Sequence, residues 1–292
     1  MDFGDLKTKT DYFLRSAANF FQEKKCPYCG VKESMVIDRK YVVTKLLKCK
    51  NCQLNFRFPK DTSRFLEKFY QSDYSVDTHI ITKMPSDSEL MKQMDENFET
   101  NVRNVVKYIR AINNKNNLKV LDYGCSWGYT LFQLKKEGYD VQGYEISKPR
   151  ASFGKKLNVE IVTSTDEIRN DNDIIICSHV IEHLSDIKSF FQIVASKLKK
   201  DGILIVWCPN GSDEYRKREP EIFHVNWGFL HPNYIDIQFV TFALKQHPFL
   251  ILTGDWYYDE TVIQNWNKYT QQVPGSKDGK ELLFITLPNI NI

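Results

Sequence analysis

Four cysteines stand in two pairs, Cys26-Pro-Tyr-Cys29 and Cys49-Lys-Asn-Cys52, with 19 residues between them. Thiolates three positions apart fit on one tight turn, and two such turns close a tetrahedron around a zinc ion. Pro27 fixes one φ of the first knuckle, and Gly30 tolerates a positive one. With all four ligands supplied by protein, no coordination position remains for substrate or water. The predicted Zn2+ is therefore structural, and it gives folding energy to a segment too short for a core of its own. A pair of disulfides would instead require an oxidising compartment. Cys125, Cys177 and Cys208 sit alone in apolar segments and read as small buried hydrophobes.

A second constellation begins at Asp122. From Leu118 the chain reads as a buried strand running into a glycine-rich turn, Gly124-Cys125-Ser126-Trp127-Gly128, and then into a helix over Tyr129–Glu137 that stops at Gly138. The next strand, Asp140–Tyr144, ends at Glu145, 21 residues past Gly124. Glycines let the backbone approach a ligand closely, and a carboxylate at a strand tip can hold ribose hydroxyls. A nucleoside-bearing ligand at the carboxyl edge of a parallel sheet is implied. Three readings of the turn compete. A dinucleotide-binding fingerprint wants glycine where Ser126 and Tyr129 stand. A hydrolase elbow, G-x-S-x-G, is matched literally with Ser126 as nucleophile, but such an elbow follows several earlier strands. The third is a methyltransferase glycine loop with serine at its middle glycine.

Four pieces in order carry a resemblance: Val120-Leu-Asp122-Tyr-Gly124-Cys-Ser-Trp-Gly128, Gly143-Tyr-Glu145-Ile-Ser147, Asp173-Ile-Ile-Ile-Cys-Ser-His179-Val-Ile-Glu182-His183-Leu184, and Leu198-Lys-Lys-Asp-Gly202-Ile-Leu-Ile-Val206. Over residues 118–210 the chain resembles the S-adenosylmethionine-dependent methyltransferases of the seven-stranded class I fold. The resemblance implies S-adenosyl-L-methionine as cofactor. It places Asp122, Gly124, Cys125, Ser126 and Gly128 beside the methionine moiety, and Glu145 with Ile146 at the ribose. Ser164 and Thr165, in the segment after the third strand, would lie beside the adenine. Ser178, His179 and Val180, at the end of the fourth, would face the methyl group. A sulfonium is already an activated donor, so positioning and a dry in-line approach carry most of the rate.

Six histidines are present. His179 and His183 follow a core strand where ligands bind, whereas His224 and His231 lie in Pro220–Pro232, an aromatic-rich stretch that reads as a substrate loop. The whole layout, a four-cysteine ribbon ahead of the core, is similar to zinc-ribbon methyltransferases acting on nucleotide-linked sugars or on precursors of surface polysaccharides. Sugar C-methyltransferases of that group carry a Tyr-x-Glu-His run where this chain has Phe223-His224-Val225-Asn226. Its loss argues against transfer through an enolate and for O- or N-transfer with a histidine base. His224 is the first candidate for that base, His183 the second and His231 the third.

These residues need a scaffold, and 292 residues with 42% hydrophobic and 26% charged side chains can supply one. The expected fold is α/β: a class I Rossmann-like sheet of seven strands with helices on both faces, preceded by the ribbon. Residues 1–60 are expected to hold an N-terminal helix and the ribbon, residues 61–115 a helical linker or cap, and residues 116–292 the cofactor-binding domain. Ser34–Ile37 and Tyr41–Leu47 read as a strand pair between the knuckles, and Thr62–Tyr70 and Ser88–Ile112 as helices. The polar stretch from Gln71 to Pro85 between them could form a lid. Pro232–Gln246 has helical spacing, and Phe249–Tyr258 with Leu282–Leu287 read as the final strand pair. The apolar runs Ile174–Cys177 and Ile203–Pro209 are too short to span a bilayer, and Met1–Asp11 lacks a signal-peptide apolar region, so a cytoplasmic protein is expected. Net charge is +3, but residues 1–60 carry 13 basic and 6 acidic side chains, a balance of +7. That basic module makes RNA, modified by a methyltransferase with the ribbon as its recognition element, the alternative to a sugar-containing small molecule. The sequence says nothing of oligomeric state.

Overall fold

A computed structural model describes residues 6–73, 86, 89, 100–228, 231–255 and 257–290. The lid segment around Tyr74 and His79, and the start of the helix expected from Ser88, lie outside the described residues.

The chain opens with α1 (Leu6–Ala18) and the first knuckle, followed by β1 (Ser34–Lys40), β2 (Thr44–Cys49) and β3 (Asn55–Phe58). After α2 (Ser63–Lys68) and α3 (Thr100–Ile112), the α/β alternation begins: β4 (Lys119–Tyr123), α4 (Tyr129–Lys136), β5 (Asp140–Tyr144), α5 (Lys148–Phe153), β6 (Ile161–Val162), β7 (Asn172–Ser178), α6 (Ile187–Lys197) and β8 (Leu198–Pro209). The remainder comprises α7 (Asp213–Arg218), α8 (Pro220–Asn226), β9 (Asn233–Tyr234), α9 (Ile237–Ala243), β10 (Phe249–Gly254), α10 (Glu260–Gln264), β11 (Gln271–Gln272) and β12 (Glu281–Thr286).

The main sheet runs β11-β10-β12-β8-β7-β4-β5-β6. Strands β6, β5, β4, β7 and β8 are mutually parallel, and β12 is antiparallel to both β8 and β10. Seven of these strands are those expected. The eighth is the two-residue β11, which pairs parallel to β10 at Phe249 and Leu250 and lies in the connection between β10 and β12. Strand residues alternate between two cores, as strands buried on both faces require. Val120, Ile174, Ile176, Ile203 and Ile205 face one core, with Tyr108 and Ile109 of α3 and Leu131 of α4. Leu121, Tyr123, Ile175, Cys177, Leu204 and Val206 face the other, with Phe190 of α6 and Phe239 of α9.

That second core also contains Cys26, Leu47, Cys49, Cys52, Leu54, Phe56 and Phe58. The ribbon thus lies on the sheet as part of one layer. A four-stranded antiparallel sheet, β1-β2-β3-β9, joins it further to the rest, since β9 pairs with β3 at Asn55↔Tyr234 and Phe56↔Asn233. Helical spacing had suggested Pro232–Gln246 as one helix, but Asp236 caps α9 by accepting from Phe239 N, and the residues before it are drawn into the ribbon sheet. Pro220–Pro232 is likewise not all loop: Pro220 starts α8 at a position where its missing N–H costs nothing.

Candidate cofactor and acceptor site

The four cysteine sulfurs come together as expected. Cys26 Sγ lies 3.5 Å from Cys52 Sγ, and Cys29 Sγ lies 3.5 Å from Cys49 Sγ. All four fall within 4.8 Å of one another. A disulfide would be near 2.05 Å, whereas the edge of a zinc–thiolate tetrahedron is roughly 3.8 Å. The donors fit Zn2+, and all are thiols or thiolates.

The cofactor loop hangs between β4 and β5. Gly124 N and Cys125 N donate to Tyr144 O at 2.7 and 3.1 Å, which draws the turn onto the neighbouring strand. Gly124 has φ +87°, and a Cβ there would sit 2.3 Å from Val180 Cγ2, so this site admits only glycine. Ser126 takes a left-handed conformation at φ 52°. Its N–H donates to Glu145 Oε2 at 3.0 Å, while Ser147 N donates to Glu145 Oε1 at 2.8 Å. Although it stands at a strand tip, Glu145 is only 7% exposed and braces the loop. Burial raises its pKa, against the N–H groups of Ser147 and Ser126 and the charge of Arg150. Asp122, buried in the same place, is pushed up to about 7 by burial and by the charge on Glu145.

Sequence reasoning missed Arg150, fully buried on α5, whose Nη1 donates to Ser126 Oγ at 2.6 Å. A guanidinium cannot accept a proton, so Ser126 has no base in this partner and the hydrolase reading loses its nucleophile. Gln142 and Gly143 precede the loop's carboxylate in β5, and a Cβ at Gly143 would strike Cys125 Sγ at 2.4 Å. Around the loop, Ile146 is 44% exposed, and Ser164 caps the turn that begins at Thr165, accepting from Asp166 N at 3.3 Å. Ser178 is exposed at the end of β7, and Val180 lies against Gly124.

At the same edge a second group gathers. His179, at φ 54°, has Nδ1 3.5 Å from Glu182 Oε1 and Nε2 3.6 Å from Glu281 Oε2. His183 Nε2 lies 4.0 Å from Glu182 Oε1, and the rings of His183 and His231 meet edge to face at 4.9 Å. Burial opposes the charge on His179, yet Glu182 and Glu281 outweigh it and push its pKa up to about 9. His231 goes the other way, down to about 4, through burial and the nearby His183. Burial raises Glu281 to about 7, partly offset by His179. No spacing in the sequence ties Glu281 of β12 to His179; only the antiparallel register Glu281↔Pro209 brings it to this edge.

His224 is placed elsewhere. Its Nδ1 donates to Asp38 Oδ2 at 2.7 Å, the atom that also accepts from Trp227 Nε1 at 2.7 Å. Asp38 belongs to β1, so His224 joins α8 to the ribbon, while His179, His183 and His231 group with the two carboxylates.

Residues 92–247 match the methyltransferase domain family. The chain is 23% identical over 190 residues to the ubiquinone biosynthesis O-methyltransferase of Rickettsia typhi, covering 54% of this chain and 74% of that one. It is 29% identical over 108 residues to the enzyme of the same name from Rickettsia prowazekii, covering 34% and 42%. Among solved structures, it is similar to a SAM-dependent methyltransferase from Archaeoglobus fulgidus at 18% identity, over 69% of this chain and 99% of that one, with a TM-score of 0.46. A TehB-like methyltransferase from Corynebacterium glutamicum gives 15%, 68%, 92% and 0.45. With the glycine loop, its bracing carboxylate and a family match over more than half of its length, this chain belongs to the methyltransferase domain family and is a class I S-adenosylmethionine-dependent methyltransferase bearing a four-cysteine zinc ribbon.

Proposed function

We propose that the protein transfers the methyl group of S-adenosylmethionine to a hydroxyl oxygen of a small molecule. The cofactor rests on the loop Gly124–Gly128, with its ribose at Glu145 and Ile146, its adenine beside Ser164–Thr165, and its methionine end near Asp122 and Ser178–Val180. The acceptor sits against Glu182, His183 and His231. The observation that carries this reading is the convergence of three histidines and two buried carboxylates on the edge where the loop ends. The names of the relatives, both O-methyltransferases, support oxygen as the acceptor atom. A hydroxyl of a sugar or nucleotide-sugar is the acceptor that the ribbon-bearing layout suggests.

The RNA alternative is less well supported, because many cations of residues 1–60 are held by the protein's own groups. Lys48 pairs with Asp236 at 3.1 Å, Arg15 and Arg57 with Asp61 at 2.6 and 2.7 Å, and Lys32 with Glu23 at 2.7 Å. Lys40 donates to Trp227 O. Such cations are poorly placed to neutralise phosphates.

The test is transfer from radiolabelled S-adenosylmethionine to parallel panels of nucleotide sugars, catechols and structured RNA, with products identified by mass. Label on an oxygen of either small-molecule panel is expected. Transfer confined to RNA would replace this reading with the alternative.

A further inference from the structure

Glu182, His183 and His231 each offer a donor atom, and all three atoms lie within 4.8 Å of one another. They come from two places: Glu182 and His183 from the turn after β7, and His231 from the segment between α8 and β9. Glu182 is fully buried, and among the described residues no hydrogen bond of good geometry reaches either carboxylate oxygen. Its near neighbours are imidazole nitrogens, His179 Nδ1 at 3.5 Å and His183 Nε2 at 4.0 Å. The imidazole of His179 compensates part of this burial, and the carboxylate lone pairs that no well-aligned donor fills remain open to a further cation.

The histidine geometry points the same way. His231 Nδ1 faces the backbone carbonyl of Asn226 at 2.8 Å. A carbonyl only accepts, so Nδ1 carries the proton and the lone pair is left on Nε2. Metal-bound histidines are oriented by this kind of outer hydrogen bond. The two halves of the cluster are also tied together: Asn233 Nδ2 donates to Leu184 O at 2.6 Å and lies 3.4 Å from Glu182 O. Moving each donor inward by about 1 Å or less would bring them to the 2.0–2.2 Å that such ligands adopt.

We propose that Glu182, His183 and His231 bind one divalent transition-metal ion, distinct from the zinc of the ribbon, with open positions that the acceptor's oxygen can occupy. Two imidazoles and one carboxylate suit Mn2+, Fe2+, Co2+ or Zn2+. The proposal deepens the O-methylation reading and rests on it for its chemical use. Coordination lowers the pKa of the acceptor hydroxyl. Its proton leaves to solvent water as the oxygen forms the new O–C bond, and the electron pair of the broken C–S bond returns to sulfur. A substrate with two adjacent oxygens, such as a catechol or a vicinal diol, would fill two positions at once.

The experiment uses the full chain with its ribbon zinc in place. Mn2+ alone is titrated in, and the free ion is followed by electron paramagnetic resonance. One bound equivalent is expected, with the dissociation constant raised at least about tenfold in both His183→Gln and His231→Gln. Circular dichroism establishes that each variant is folded; should His231→Gln fail to fold, His183→Gln alone decides. No binding of Mn2+, or of Co2+ in a parallel titration, up to millimolar concentration would overturn the proposal, as would binding undiminished in the folded variants. Calorimetric binding of S-adenosylmethionine is measured alongside. Its loss with Mn2+ still bound would remove the methyltransferase reading alone, and the reverse result would remove the metal site alone.

Discussion

Glu145 accepts one backbone N–H from the loop, that of Ser126, and a second from Ser147 beyond β5, so its loss should be felt before any cofactor arrives. Glu145→Ala is expected to lower the unfolding free energy of the cofactor-free protein by roughly 1–3 kcal/mol, the cost of stranding buried donors, as read by urea denaturation. It should also weaken S-adenosylmethionine binding in calorimetry. An unchanged urea midpoint would show the loop to be braced by Arg150 alone. Asp122 gives a pH signature. Its folded pKa, about 7, lies above the model-peptide value of 3.8, so its ionisation costs stability progressively from about pH 4 to pH 7. Asp122→Asn should therefore gain on the parent over that window, by up to about 1.4 kcal/mol per pH unit, and hold the gain above it. The same variant should bind the cationic cofactor less well. A gain that grew as the pH fell would have the wrong sign for this account.

At the scale of the element, the turn after β4 depends on a single missing methyl group. Gly124→Ala adds a carbon 2.3 Å from Val180 Cγ2 at a positive φ, and both terms should destabilise by about 1–3 kcal/mol each. Combining it with Val180→Ala should recover the steric part and leave the conformational part, a partial rescue seen as a rise in thermal midpoint over Gly124→Ala. No rescue at all would assign the whole cost to backbone strain. Much of this architecture was legible in the chain. β5 falls on Asp140–Tyr144 as read, and β4 and α4 differ from their expected bounds by one residue at an end, because local pattern and glycine placement decide them. β9 and β11 were not legible. At two residues each, they have no period of their own and exist only because a distant edge, β3 or β10, offers them partners. The histidine assignment was limited in the same way: position in the chain put His224 in a reactive run, but what that ring faces is set by β1, 186 residues away.

For the whole molecule, the ribbon shares its core with the strands that present the cofactor loop, and it holds the segment carrying His231 by β3–β9 pairing, by Arg57 N to Pro232 O at 2.7 Å and by Lys48 to Asp236. An independent ribbon would let zinc be removed with the nucleoside site unharmed. The shared core predicts otherwise. Stripping the metal under native conditions should raise amide exchange in residues 26–58 and in 231–236 together, and lower turnover along with it. Exchange confined to 26–58 would mean the shared layer survives the loss of its metal.

The two-residue strand Asn233–Tyr234 also governs how such proteins can be recombined. Its pairing with Asn55 and Phe56, and the Asn55 side-chain amide donating to Gly211 O at 2.8 Å, make the seam between ribbon and core a matched set of backbone edges. A graft of a foreign ribbon onto this core would present the wrong edge to β9 and leave buried peptide groups stranded. Exchanges made in the laboratory, or by gene fusion, would therefore succeed when the stretch from 211 to 236 travels with its ribbon, so that the unit of inheritance is discontinuous in the chain although continuous in space.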